Sequence, residues 1–248
     1  MTPNPPGISS LPRCWRGVRR TMRRLIALVP LLLCGFFANS NAAQLDWAGI
    51  TWEVRTGHGP PCATSIWNEH GAWVDTRGWL HLALRKLPSG SFACVELRSA
   101  KRFGFGRYTF DVTGPIGEID KNVVLGLFLY PTQDVGLDGT NEIDIEVARW
   151  GHPAGPQVNY TVWYRSRKGS RSSRVPVADN TDHATFTLEW QDGLVDWTSS
   201  LHPGKHFGFR DDVADQPQTL SLNLWLFRQV APEDRKDVEF VIKSLTFE

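Results

Sequence analysis

Residues 141 to 150 read Asn141-Glu142-Ile143-Asp144-Ile145-Glu146-Val147-Ala148-Arg149-Trp150. Polar and apolar side chains alternate here with a period of two, the period of a β-strand, whose successive side chains point to opposite faces. Ile143, Ile145 and Val147 therefore share one face, and Glu142, Asp144 and Glu146 share the other. Like charges stacked on one strand face repel and cost stability. The acidic face is either a solvated outer surface or the site of a reaction that uses clustered carboxyls.

Outward from this segment the period of two recurs. Trp79–Leu84, Arg107–Val112, Thr185–Trp190, Leu220–Trp225 and Val238–Phe247 alternate, and Val123–Tyr130 is a continuous apolar run suited to a strand buried on both faces. Turn signals fall between them: Pro88-Ser89-Gly90, Gly114-Pro115, Asp138-Gly139, Gly151-His152-Pro153, Asp192-Gly193 and Pro203-Gly204. No long helical period, internal repeat or linker interrupts the pattern. Many short strands with frequent turns predict an all-β sandwich or barrel.

The N-terminus reads differently. Met22-Arg23-Arg24 is a basic n-region, Leu25 to Phe37 is an apolar run of signal-peptide length, and Ala38 to Ala43 supplies small residues for cleavage near Ala42 or Ala43. The run is short for a membrane span. The expected organisation is an N-terminal extension and cleaved signal peptide over 1–43 and one domain over 44–248, exported to the periplasm or the medium. Met22 is the expected initiator. The leader holds six Arg and no acids, so residues 44–248 carry twenty-one basic against twenty-six acidic groups, a net charge of −5. That balance gives no global attraction to nucleic acid. Cys14 and Cys34 leave with the leader; Cys62 and Cys94 remain as one pair, expected as a disulfide in an oxidising compartment, with two buried thiols as the other reading.

Paired carboxyls are the equipment of glycoside hydrolysis, where a retaining mechanism holds them about 5–5.5 Å apart. Positions i and i+4 of a flat strand lie about 13 Å apart at Cα, so two long Glu side chains must lean toward each other. Seven scattered His lack metal-ligand spacing, and no G-x-S-x-G, P-loop or dinucleotide fingerprint occurs.

The Glu142-Ile143-Asp144-Ile145-Glu146 run resembles the active-site signature of glycoside hydrolase family 16, and the order of the surrounding segments agrees. Phe92–Ser99 resembles the segment before the sandwich core in bacterial lichenases, including a cysteine that pairs backwards. Gly106-Arg107-Tyr108-Thr109-Phe110, Gly126–Pro131, Val158-Asn159-Tyr160 and Leu222-Asn223-Leu224-Trp225 resemble later strands of the family. The resemblance covers about residues 60 to 248. It implies a concanavalin A-like jelly-roll β-sandwich of two antiparallel sheets with a concave cleft. It implies Glu142 as nucleophile, Glu146 as acid/base and Asp144 as their support. Glu96 and Arg98 would contact sugar hydroxyls, and Phe128, Tyr130, Asn159, Asn223 and Trp225 would line subsites; core packing is the competing role for Phe128, Tyr130 and Trp225. The expected protein is a monomeric, secreted, retaining endo-glycosidase acting on a β-linked polysaccharide, β-glucan-type first. It needs no cofactor, does not bind nucleic acid and is not stably inserted in a membrane. A transglycosylase, or a carbohydrate-binding protein without turnover, is the alternative.

Departures from the family pattern are specific. Thr140 stands where lichenases carry Trp two residues before the first catalytic Glu, and Thr161 where an aromatic often follows the cleft Asn. Phe240-Val241-Ile242-Lys243-Ser244 lacks the Asp that holds a structural calcium, so no metal is expected. The signature has no extra residue, so its strand should be regular rather than bulged. Arg165 to Arg174 is a basic run read first as a solvated hairpin loop and second as a clamp for an anionic glycan such as a sulfated polysaccharide.

Overall fold

A computed structural model describes residues 43–62 and 65–248. The basic n-region, the apolar run and Ala42 lie outside the described residues. Sixteen strands occur among those described: β1 (Ala43–Trp47), β2 (Ile50–Val54), β3 (Ile66–Trp67), β4 (Ala72–Val74), β5 (Leu80–Lys86), β6 (Phe92–Phe103), β7 (Gly106–Thr113), β8 (Val123–Tyr130), β9 (Ile143–Ala148), β10 (Val158–Trp163), β11 (Ser170–Val175), β12 (His183–Gln191), β13 (Leu194–Ser199), β14 (Phe207–Arg210), β15 (Gln218–Leu226) and β16 (Val238–Phe247). Two short 3-10 turns, Glu69–Gly71 and Phe227–Gln229, are the helical elements among these residues.

The strands form a jelly-roll sandwich. The cleft sheet runs β1-β2-β6-β15-β8-β9-β10-β11, antiparallel throughout. The back sheet runs β4-β5-β16-β7-β12-β13-β14. They meet at one edge, where Arg85 and Lys86 of β5 pair with Ala93 and Phe92 of β6, and β3 adds a parallel pair to β6. The alternation dictates this arrangement. Along β12, Ala184, Phe186, Leu188 and Trp190 are buried while their neighbours are not. Along β9, Ile143, Ile145 and Val147 are fully covered. Each aliphatic side chain so buried contributes about 1.5–3 kcal/mol. Tyr160 of the cleft sheet stacks on Trp197 and Phe207 of the back sheet, with ring centroids 5.7 and 5.1 Å apart. β8 is buried on both faces from Val123 to Phe128, as its continuous apolar run predicts.

β9 pairs with β8 and β10 in unbroken register, so the signature strand is regular. Glu142 lies just before it, and its carbonyl accepts from Trp163 N at 2.8 Å, which carries the ladder one residue further. The basic run departs from the solvated-loop expectation. Its second half is β11, the edge strand of the cleft sheet, in register with β10 from Val158↔Val175 to Trp163↔Ser170. Alternation is present there, but Ser and Arg conceal it because neither is apolar; the charges also suit an edge that must not pair with another chain.

Cys62 and Cys94 form a disulfide, Cα–Cα 6.6 Å, with both residues fully covered. Cys94 lies in β6, two residues before Glu96, so the bridge fastens the segment after β2 to a central strand of the cleft sheet. Closing a loop of 32 residues contributes about 3–4 kcal/mol by the chain-entropy estimate. Replacing both cysteines by Ala is expected to lower unfolding stability by about that amount, read as a lower urea midpoint at unchanged slope.

Candidate active site

Because residues directly opposite each other in neighbouring strands share a face, the register lays out the outer face of the cleft sheet as rows. One row runs Glu96, Asn223, Gly126, Glu146, Asn159, Arg174 from β6 to β11. The next runs Arg98, Ser221, Phe128, Asp144, Thr161, Ser172. A pocket of roughly 280 Å³ crosses these strands, lined by Glu96, Arg98, Gly126, Phe128, Tyr130, Asp138, Glu142, Asp144, Glu146, Asn223 and Trp225 and closed at one end by Arg55, Pro60 and Pro61. The fold thus brings together nine of the ten residues singled out in the sequence as catalytic or substrate-binding. Asn159 shares the row but is 1% exposed; its Nδ2 donates to the carbonyl of Ala148 on the neighbouring strand at 3.0 Å, while its buried Oδ1 has no partner within the protein. It braces the carboxylate strand from behind and does not line the pocket.

Local chemistry explains each position. Gly126 faces Glu146 across the β8–β9 ladder, and a Cβ there would stand 2.5 Å from Asn223 Oδ1. Glycine is needed for close approach, so the floor stays low beside Glu146. Glu96 is a buried carboxylate held by two guanidiniums: Arg98 Nη2 at 2.6 Å and Arg55 Nη1 at 3.3 Å. Such a charge is tolerated inside only when paired. Tyr130 donates to Asp138 at 2.6 Å and meets Phe128 edge-on at 6.2 Å. Trp225 packs with Trp150 at 6.2 Å, and Trp150 with Phe227 at 5.3 Å. Phe128, Tyr130 and Trp225 line the pocket, and Trp225 also packs against the core.

Sequence reading missed Arg55, which the β2–β6 ladder places through its N–H to the Glu96 carbonyl at 2.9 Å, and Pro60 and Pro61, which lie just before the disulfide at Cys62. It also missed Trp163. That residue sits two positions beyond Thr161, on the same face, and its Nε1 donates to Asp144 Oδ2 at 3.0 Å. The period of two past Thr161 was the available signal. Asn223, in the pocket lining, has an Oδ1 that makes no hydrogen bond within the protein, whereas the equally unpartnered Oγ of Ser221 is fully buried.

The three carboxyls perturb one another. Burial raises all three, chiefly by penalising the charged form. Asp144 moves well above the carboxylate range, pushed further by the charges of Glu142 and Glu146. It shares a hydrogen bond with Glu142 that favours the proton on Asp144 and the charge on Glu142. Glu146 is raised to about 8 by burial and by Glu142, with Arg174 pulling the other way. At neutral pH Asp144 and Glu146 therefore favour the protonated form, while Glu142, raised to about 7 by burial and drawn back by its hydrogen bond with Asp144, is the readiest of the three to ionise.

A larger hollow of about 670 Å³ lies among Glu118, Asp120, Asp179, Glu233, Asp234 and Asp237. Its acids are solvated or paired, Glu233 with Lys121 and Asp179 with Arg149, so the smaller pocket is the chemical one. Among the described residues no group of three or more His, Cys, Asp or Glu side chains could hold a metal ion.

The sequence model of the glycosyl hydrolases family 16 matches residues 62–237. The chain belongs to this family. Solved structures agree on the fold. This family 16 chain is similar to a β-glucanase from Bacillus licheniformis, at 18% identity and TM-score 0.63, covering 85% of this chain and 94% of that one. It is similar to a prokaryotic β-1,3-1,4-glucanase (lichenase) from a mouse hindgut metagenome, at 21% identity and TM-score 0.62, covering 79% and 92%. It also resembles the catalytic domain of an endo-1,3-β-glucanase (laminarinase) from Thermotoga petrophila RKU-1, at 16% identity and TM-score 0.62, covering 83% and 93%. No curated protein matches it by sequence.

Two outcomes follow for this family 16 site. The value for Glu146 lies above its ordinary 4.5, so its contribution to stability is complete below about 4.5 and is lost as pH rises through about 8. Glu146→Gln should remove that loss, raising stability at pH 9 by about 1–3 kcal/mol while changing little at pH 4; equal midpoints for both proteins at pH 9 would refute the burial argument. Gly126→Ala should displace Asn223 and weaken glycan binding about tenfold, measured by calorimetric titration, with a smaller effect on thermal stability.

Proposed function

We propose that this family 16 chain is a retaining endo-glycosidase that cuts a β-linked polysaccharide, β-glucan-type first, with Glu142 as nucleophile and Glu146 as acid/base. The observation that carries the reading is three carboxyls on one face of β9, set in the floor of a pocket that crosses the strands. In the first step an Oε of Glu142 attacks the anomeric carbon while Glu146 gives its proton to the departing glycosidic oxygen. The C–O bond to the leaving sugar breaks, and a glycosyl ester on Glu142 forms. Glu146, now a carboxylate, takes a proton from water, whose oxygen attacks the same carbon and frees Glu142. An acceptor sugar hydroxyl in place of water turns the second step into transfer.

Asp144 serves both steps. It donates to Glu142, favouring the ionised nucleophile, and Trp163 fixes its other oxygen. Glu96, Arg98 and Asn223 offer donors and acceptors for sugar hydroxyls, and Phe128, Tyr130 and Trp225 give apolar ring surface. The proposed organisation is export through the 1–43 segment and a catalytic domain over 44–248. The disulfide fits an oxidising compartment, and no helix among the described residues is long and apolar enough to cross a membrane.

Reducing-end release should be measured on lichenan, laminarin, xyloglucan, agarose and carrageenan. Activity on one β-glucan that falls at least about a thousandfold in Glu142→Gln is the expected result. Binding without release by the unmodified protein would leave a carbohydrate-binding protein instead.

A further inference from the structure

The basic run Arg165–Arg174 has been only partly absorbed by the fold. Arg165 is paired with Asp215. Arg167 lies over the Tyr164 ring at 3.8 Å. Arg171 points away from the cleft, donates to the carbonyls of Arg210 and Asp211 at 3.0 and 2.6 Å, and lies over Phe209. Arg171 fastens the β10–β11 hairpin to β14 of the back sheet, Arg165 ties it to the segment before β15, and Arg167 is held within the hairpin.

Arg174 differs. It sits in β11 directly opposite Asn159, which is opposite Glu146, so its side chain emerges on the cleft face in the row of the proposed acid/base. It is exposed, and among the described residues no carboxylate, carbonyl or ring partners it. Its positive charge reaches far enough to act on Glu146. The hydroxyl of Ser172 follows in the adjacent row, bonded to Thr161 at 2.8 Å, and Ser170 follows in the next, opposite Trp163. On the opposite side of the pocket the cations are already committed, since Arg55 and Arg98 both neutralise Glu96.

The character of this end of the cleft is therefore polar. Thr161 provides no ring for a neutral sugar face, Trp163 stands two rows from Arg174 with its indole N–H given to Asp144, and in the row of Glu146 the sheet supplies a guanidinium next to the Ser172 and Thr161 hydroxyls. A planar guanidinium matches a carboxylate or a sulfate half-ester through two parallel N–H donations. The charge is local, since the domain over 44–248 is net acidic and would repel a polyanion elsewhere.

We propose that Arg174 is a specificity residue that binds an anionic substituent, carboxylate or sulfate, on the sugar held on the β11 side of Glu146. The substrate class is then a β-linked glycan with acidic substituents. This rests on the glycosidase reading for the identity of the cleft.

The test separates binding from cleavage. Glu142→Gln protein would be run in affinity gels containing an unmodified β-glucan, its carboxymethyl derivative or its sulfated derivative, alone and combined with Arg174→Gln or Arg167→Gln. The expected result is about tenfold tighter binding of at least one anionic derivative. That preference should weaken with salt, fall to within about twofold in Arg174→Gln and persist in Arg167→Gln. The carboxymethyl and sulfate arms tell the two anions apart. Equal binding of neutral and anionic glucan, or a preference that survives in Arg174→Gln, overturns the proposal. Reducing-end release by the protein with Glu142 intact reports the glycosidase reading independently of either result.

Discussion

The unbroken pairing of β9 between β8 and β10 is the constraint on which the rest depends. Side chains on a strand alternate strictly, so a slip of one residue would drive Glu142, Asp144 and Glu146 into the sandwich and put Ile143, Ile145 and Val147 in water. The cost would be several buried charges and several lost aliphatic contacts at once. The ladders on both sides of β9 therefore fix which face is chemical, and every row of the cleft inherits its alignment from them.

That alignment explains how a face of like charges is tolerated. The core face of β9 is fully covered, and the stability it provides carries the strain of the other. On the cleft face the repulsion is relieved by protons rather than by counter-ions. Burial raises all three carboxyls, Asp144 shares its proton with Glu142, and Trp163 satisfies the remaining oxygen. Glu96, one row end away, shows the other solution, in which two guanidiniums neutralise a buried carboxylate. A site needing proton transfer uses the first device; a site needing a fixed acceptor uses the second.

The departures at Thr140 and Thr161 gain meaning in this frame. Aromatic surface is concentrated on the β8 and β15 side of the pocket, in Phe128, Tyr130 and Trp225. The β10 and β11 side carries hydroxyls, Trp163 and Arg174. The two halves of the cleft therefore differ in chemistry, rings beside a neutralised Glu96 on one side and hydroxyls, one indole and a free guanidinium on the other.

The sequence by itself determined an all-β domain, because the period of two repeats through β5, β7, β9, β12, β15 and β16 with turn signals between, and the ordered resemblance to family 16 narrowed sandwich or barrel to the jelly-roll sandwich. It also determined the family and the acidic face, since both are properties of one strand's alternation and its ordered neighbours. It did not reveal β11, where Ser and Arg carry the alternation without apolar contrast. The tertiary structure alone decided that Arg55 and the two prolines close the pocket, that Asn159 is a brace, that Trp163 holds Asp144 and that Arg174 stands free in the row of Glu146. Each of these depends on which strands lie side by side, and cross-strand register is set by the packing of distant segments rather than by local sequence.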